Sequence, residues 1–329
     1  MKPSEIVSAL ETLSDICQPV FLWGAPGVGK SQVVAQVAAK RGLRLVDVRA
    51  VLLDPVDLRG IPRIDESGAA VWCPPSFLPR TGRGVLFLDE LNASPPLVQA
   101  ACYQLILDRK LGEYELPEGW IVVAAGNRES DRAVTHRMPS ALANRLIHLD
   151  FDPDPQDWQE WAEKAGIDPR IRHFLRFRPK LLHVFEPGRS EKAFPSPRSW
   201  EFASRILQAG PHWSTTLGLL RGAVGEAAAL ECMGFLKVYA QMPSVDEVLA
   251  DPGRVPIPED PAVVYALCEA LARRASELTM TSLATLAGRL PAEFGVLLMR
   301  DAAAAEPDIV DTDAFHDWAR ANSSLLVQA

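Results

Sequence analysis

The segment Gly24-Ala25-Pro26-Gly27-Val28-Gly29-Lys30-Ser31 concentrates phosphate-binding chemistry. It satisfies every fixed position of the pattern G-x-x-x-x-G-K-[ST]. Backbone N–H groups of such a turn point inward at an anion, and the helix that follows adds partial positive charge. Lys30 would neutralise the β- and γ-phosphates of a nucleotide, and the Ser31 hydroxyl would ligate Mg²⁺. Downstream, the apolar run Gly84-Val85-Leu86-Phe87-Leu88 ends in Asp89-Glu90. An acidic pair at a strand end often only starts a turn, but after a phosphate loop it reads as a nucleotide-site pair. Adjacent strand residues face opposite ways, so their jobs differ. Asp89 would hold the Mg²⁺ shell and Glu90 would polarise the attacking water as general base. Asn127 closes a third apolar run, Trp120 to Ala125, after Gly126. It could hydrogen-bond the γ-phosphate or the water; standing alone, it would be an ordinary turn residue.

These groups need a parallel sheet to bring them together. Pro19 to Trp23, Leu43 to Val48, Gly84 to Glu90, Trp120 to Ala125 and Leu146 to Asp150 read as its strands. Helices are expected over 4–16, with Ser4 as a possible N-cap, over 31–40 and over 94–109. Residues 54–80 interrupt the alternation with a proline-dense stretch containing a hairpin, 61–64 against 69–72. A second hairpin is expected over 110–120, turning near Leu116-Pro117-Glu118-Gly119. Residues 140–145 read as a short helix. Phe151-Asp152-Pro153-Asp154-Pro155 reads as a linker, since its prolines stop a helix running through.

Beyond the linker the pattern is helical, with Trp158, Trp161 and Ala162 on one face of the first helix. Arg170, Arg172, Arg176, Arg178 and Lys180 suggest a solvated or lid-facing helix, with a substrate-contacting surface as the alternative. Arg198 falls near the start of a helix over 200–208. Past residue 243 there is no chemical motif, and Leu and Ala at helical spacing suggest a core.

The chain of 329 residues has a net charge of −8, which disfavours a broad nucleic-acid surface. Cys17, Cys73, Cys102, Cys232 and Cys268 are widely spaced and read as free thiols in a reducing compartment. His136, His148, His173, His183, His212 and His316 form no metal-ligand spacing. Acidic residues in the first turns argue against a signal peptide, and no apolar run is long enough for a membrane span. A cytoplasmic protein is expected.

The phosphate loop, acidic strand end, Asn127 and helical region after the linker occur in an order that resembles the AAA+ ATPases. Asp57-Leu58-Arg59-Gly60 with Trp72 and Pro74-Pro75, Gly84 to Asn92, and Met138 to Arg145 are similar to stretches of the MoxR-type branch. The resemblance covers residues 1 to about 240. It implies an α/β P-loop core over 1–152, with a five-stranded parallel sheet and insertions near 54–80 and 110–120. An all-α lid over 153–242 and further helices over 243–329 would follow.

By that resemblance Gly24 to Ser31 is Walker A, Asp89 and Glu90 are Walker B, and Asn127 is sensor 1. Arg145 matches the arginine finger that reaches a neighbouring subunit's γ-phosphate, with Arg132 and Arg137 as rivals. Arg198 resembles sensor 2. Leu146 departs from the family's usual Phe after the finger, which should alter packing more than chemistry. The resemblance further implies Mg·ATP hydrolysis in a homo-oligomeric ring, a hexamer, acting on a protein client such as a von Willebrand factor A domain protein. The competing readings are a nucleic-acid motor or subunit of a restriction or phage-defence complex, and a nucleotide switch without turnover.

Overall fold

The runs at 20–23, 84–88 and 120–125 contain no polar side chain, which suits strands covered on both faces. In the chain's structure, a computed structural model, residues 1–131, 138, 143–188 and 192–323 are described. Arg132, Arg137 and most of the expected 140–145 helix lie outside those residues. The strands are β1 (Val20–Trp23), β2 (Arg44–Arg49), β3 (Ile61–Ile64), β4 (Ala70–Cys73), β5 (Gly84–Asp89), β6 (Lys110–Leu111), β7 (Tyr114–Glu115), β8 (Trp120–Gly126) and β9 (Ile147–Asp150). The helices that surround them are α1 (Pro3–Asp15), α2 (Lys30–Lys40), α3 (Pro55–Arg59) and α4 (Pro96–Asp108).

Five strands form one sheet in the order β2-β5-β8-β1-β9, parallel at every junction. Side-chain alternation divides its core in two. Val20, Leu22, Val85, Phe87, Ile121 and Val123 pack with α1 and α2, through Ile6, Leu10, Val33, Val34 and Val37. Phe21, Leu86, Leu88, Val122 and Ala124 pack on the other side with Val98, Cys102, Leu105 and Ile106 of α4. Register sets Trp23 beside Gly126 and Asp150, so three loops leave the same edge of the sheet.

Two local expectations are corrected. The α1 cap is Lys2, whose N–H donates to the Glu5 carboxylate at 3.1 Å, so Ser4 lies inside the helix. The second hairpin turns at Gly112-Glu113, because β6 pairs with β7 in the register Lys110↔Glu115 and Leu111↔Tyr114. Gly112 has the positive φ (59°) that so tight a turn needs; the 116–119 segment instead leads into β8. The first hairpin pairs as Ile61↔Cys73 through Ile64↔Ala70.

The chain divides into two compact units. The first holds the sheet and comprises Met1–Ile167, Pro179–Gly210 and Gly222–Gly225. The second is helical and comprises Asp168–Arg178, Pro211–Arg221 and Glu226–Ala329. Its core gathers Leu267, Leu271, Met280, Leu283, Leu286, Leu298, Met299 and Trp318. Helix Val245–Ala250 was not anticipated; Ser244 Oγ accepts from Glu247 N at 3.2 Å to start it.

The basic run is solvated only in part: Arg176, Arg178 and Lys180 are exposed as expected, whereas Arg172 is buried. Arg172 is only 7% exposed and donates to Glu269 Oε1 at 2.8 Å, as does Arg273. His173 Nε2 and Arg176 Nη1 lie 3.1 and 3.5 Å from Glu269 Oε2. Arg170 pairs with Asp168 and Arg178 with Glu231. Burial alone would raise the Glu269 carboxyl, but His173, Arg172 and Arg273 outweigh it and hold it at about 2.

Glu269→Gln should therefore destabilise this unit by about 3–5 kcal/mol, the cost of leaving the buried Arg172 uncompensated, read from urea unfolding of the full chain. The contribution of the depressed carboxyl is fully present above pH 4.5 and disappears as pH falls towards 2. The variant should lack that acid sensitivity.

Candidate functional site

The phosphate loop runs from the end of β1 to the start of α2, with Gly27 (φ 78°) and Gly29 (φ 105°) in conformations that side chains resist. Lys30, the first α2 residue, turns back over the loop. Its Nζ donates to Gly24 O at 2.6 Å, Ala25 O at 3.2 Å and Asn127 Oδ1 at 3.2 Å. These contacts use all three ammonium protons. Burial lowers Lys30 to about 8, against the pull of Asp89 and Asp131. Ser31 Oγ donates to Asp89 Oδ2 at 3.0 Å. Lys30, Ser31, Asp89 and Asn127, which come from three strand ends, thus meet at one edge.

Glu90 departs from the strand on which the sequence placed it. β5 ends at Asp89, and Glu90 is left-handed (φ 56°, ψ 32°), a conformation non-glycine residues seldom adopt. Its N–H donates to Asp89 Oδ1 at 3.0 Å and its side chain is exposed. The two carboxylates diverge because the chain turns, not because strand neighbours alternate.

Asn92 was not read as a site residue. It is 2% exposed, and its Nδ2 donates to Asn127 O at 2.7 Å. Gly126 leaves room for it, since a Cβ there would lie 2.0 Å from Asn92 Oδ1. The turn after β5 and the end of β8 are thereby joined. An Asn three residues after Asp89 was visible in sequence, but nothing local marked its partner.

Arg198 stands in the first turn of the helix Pro197–Gln208, which begins earlier than expected. Its N–H donates to Gly27 O at 3.3 Å, and Ser196 Oγ would be 2.7 Å from any Cβ at Gly27. This helix start therefore rests on the phosphate loop, with the Arg198 side chain exposed. Burial keeps the His183 imidazole below the usual range.

Beside the loop lies a cavity of about 490 Å³, whose lining includes Val7, Val28, Gln32, Phe151, Trp158 and Trp161. It is mostly apolar, as a planar heterocycle requires. The sequence showed the two tryptophans only as one face of a helix.

Arg145 is elsewhere. It precedes β9, at the opposite strand ends from the loop, beside Cys17, Pro19, Arg109 and Val122. Four residues of strand, roughly 13 Å at about 3.3 Å each, separate it from the loop of its own chain. It is exposed and has no hydrogen-bond or ion-pair partner among the described residues.

Ser31 and Asp89 present a hydroxyl and a carboxylate 3.0 Å apart at the loop. Such hard oxygens fit Mg²⁺, which takes one or two protein ligands and completes its shell with water and phosphate oxygens.

Residues 19–146 match the family model described as the AAA domain of the dynein-related subfamily. The match covers less than half of the chain. Among solved structures it is similar to a point mutant of RuvB from Thermotoga maritima, at 16% identity over 75% of this chain and 72% of that one, with a TM-score of 0.41. It is similar too to NtrX from Brucella abortus in complex with ADP, at 15% identity over 97% and 68%, with a TM-score of 0.42. No helix among the described residues is long and apolar enough to cross a membrane.

Lys30 must be protonated to pair with phosphate. Because its value is lowered to about 8, MgADP binding should take up about half a proton at pH 8 and nearly one at pH 9. Affinity should weaken as pH rises through this range. Calorimetry in buffers of different ionisation heat reads the uptake, and Lys30→Met should abolish it.

Proposed function

We propose that this chain, built on its AAA domain, is a Mg-dependent ATPase of the MoxR type that works in a ring and remodels a protein client. The observation that carries the reading is the pair of contacts Ser31–Asp89 (3.0 Å) and Lys30–Asn127 (3.2 Å) at the open end of a parallel sheet. Loop, acidic strand end and polar strand end are there within one hydrogen bond of each other.

ATP would lay its phosphates over Gly24 to Ser31, against the loop N–H groups and the α2 start. Lys30 would exchange its carbonyl partners for phosphate oxygens. Mg²⁺, held by Ser31 and Asp89, would supply charge neutralisation across the β- and γ-phosphates. Glu90, turned out of the strand, would take the proton of the attacking water, and Asn127 would orient that water. The base would enter the cavity beside Trp158 and Trp161. A largely apolar slot suits adenine, although the lining does not by itself read its edge.

Arg145 points to a site shared between copies. An arginine at the far strand ends cannot approach the phosphates of its own chain, yet it is exposed and, among the described residues, uncompensated. We assign it to the transition state of a neighbour, where such a cation is worth about 10³–10⁵ in rate. Arg198, in a helix that touches Gly27, would report nucleotide state to a lid over 153–242, with 243–329 as a further extension. The client, a von Willebrand factor A domain protein in this reading, would meet the insertions. There Val56, Ile61 and Ile64 are 62%, 72% and 76% exposed.

The test is the Mg·ATP hydrolysis rate per chain across protein concentration. The rate should rise and saturate, and Arg145→Ala should lower the plateau by about 10³ with MgADP affinity retained. Glu90→Gln should bind nucleotide without turnover. A concentration-dependent rate indifferent to Arg145→Ala would remove the shared-site assignment, and unchanged turnover in Glu90→Gln would remove the base.

A further inference from the structure

His148 uses both ring nitrogens, and its two partners belong to the two ends of the proposed machinery. On β9 it lies opposite Phe21 of β1, on the sheet face that also carries Trp23. The Trp23 Nε1–H donates to His148 Nδ1 at 2.9 Å. An indole nitrogen only donates, so Nδ1 must be the bare nitrogen and Nε2 must hold the proton. That Nε2–H is 2.8 Å from Ala143 O and donates to it. The imidazole is fixed further by stacking on Trp23, with centroids 6.0 Å apart and planes at 22°. Trp23 in turn lies against Phe21, centroids 4.1 Å apart.

The two partners sit at informative places. Trp23 is the last residue of β1, and the next residue, Gly24, receives the Lys30 ammonium on its carbonyl at 2.6 Å. Ala143 is two residues before Arg145, a helical residue immediately ahead of the turn that enters β9. That turn is otherwise exposed at Asn144 and Arg145 and anchored by the buried Leu146. The imidazole therefore bridges the phosphate-loop strand and the turn that presents Arg145.

We infer that His148 is a positioning residue for Arg145: the bridge Trp23–His148–Ala143 sets the Arg145 turn against the strand that carries the phosphate loop. The inference rests on the reading of Arg145 as the arginine that completes a neighbour's site. Through the bridge, the arrangement of one chain's loop is transmitted to the arginine it offers the next. His148 touches no nucleotide, so its loss acts on the partner's chemistry and not on its own chain's binding. A residue that merely stabilised β9 would have no such polarity between subunits.

That polarity is what the experiment reads, using full-length chains co-assembled in pairs. The control pairs Arg145→Ala with Glu90→Gln. Each is inactive alone, and the pair should regain hydrolysis where an intact Glu90 meets a neighbour's intact Arg145. His148→Ala alone should lose hydrolysis by roughly 10²-fold, the effect of misplacing a catalytic group by about an ångström, with MgADP affinity within about twofold of the parent. Paired with Glu90→Gln it should regain activity, because the partner supplies a well-placed arginine. Paired with Arg145→Ala it should stay inactive.

Trp23→Phe keeps an aromatic ring at this position and removes the donor, so it should show the same pattern in weaker form. It serves in place of His148→Ala if that chain does not fold. The reverse pattern, rescue by Arg145→Ala and none by Glu90→Gln, would place the effect on the chain's own loop and overturn the inference. Parent-like hydrolysis in His148→Ala and Trp23→Phe would overturn it as well. A silent control pair would remove the shared-site reading and this inference with it. A working control with either contrary His148 result removes the inference alone.

Discussion

Burial of the central sheet on both faces is the constraint from which the rest of this chain follows. With α1 and α2 on one side and α4 on the other, β1, β5 and β8 have no solvated face on which to carry polar side chains. Polar groups can then appear only where strands stop. Because all five strands run parallel, their stops coincide, and Gly24, Asp89 and Asn127 emerge at one edge. The opposite edge receives the chain segments that enter the strands, Arg145 among them. One geometric fact thus sets Lys30, Ser31, Asp89 and Asn127 apart from Arg145, and in the proposed reading it divides groups for this chain's own nucleotide from an arginine offered to another.

At the open edge the strain and the unusual electrostatics fall on the same few residues. Glu90 is held left-handed, Gly27 and Gly29 take conformations closed to most residues, and Lys30 sits at about 8 among the loop carbonyls. For Glu90, a non-glycine residue, such a conformation costs of order 1–3 kcal/mol and persists only where the surroundings over-determine it. Here the surroundings are the sheet below and the bond between Asn92 and Asn127. The helix start at Ser196–Arg198, laid on Gly27, closes the loop from a third side.

The helical unit is organised by a different interaction. Glu269 gathers Arg172, His173, Arg176 and Arg273 around one carboxylate, and the apolar core of Leu267, Leu271 and Leu283 builds beside it. A buried carboxylate in that company cannot be exchanged for a neutral group without leaving the buried Arg172 uncompensated. The interaction therefore specifies how the helix Pro169–Phe177 docks, and it accounts for arginines that would otherwise suggest an acidic ligand.

The sequence by itself was enough to place the five strands of the sheet, the first hairpin and the candidate residues Lys30, Ser31, Asp89 and Asn127 at strand ends. Those features depend on short-range patterns: two-sided apolar runs, a Gly-rich turn and polar residues at strand ends. The tertiary structure alone decided which residues meet across long separations. Asn92 on Asn127, Ser196 on Gly27, Trp158 and Trp161 beside the phosphate loop, Glu269 among its arginines, and His148 between Trp23 and Ala143 are all of this kind. So are the left-handed turn at Glu90 and the hairpin turn at Gly112, which pairing imposes against an equally plausible local alternative at 116–119. A side chain's type and its immediate neighbours set what it can do. Its partner is chosen by the packing of elements whose positions no local spacing encodes, and for Arg145 that partner lies outside the chain altogether in the reading proposed.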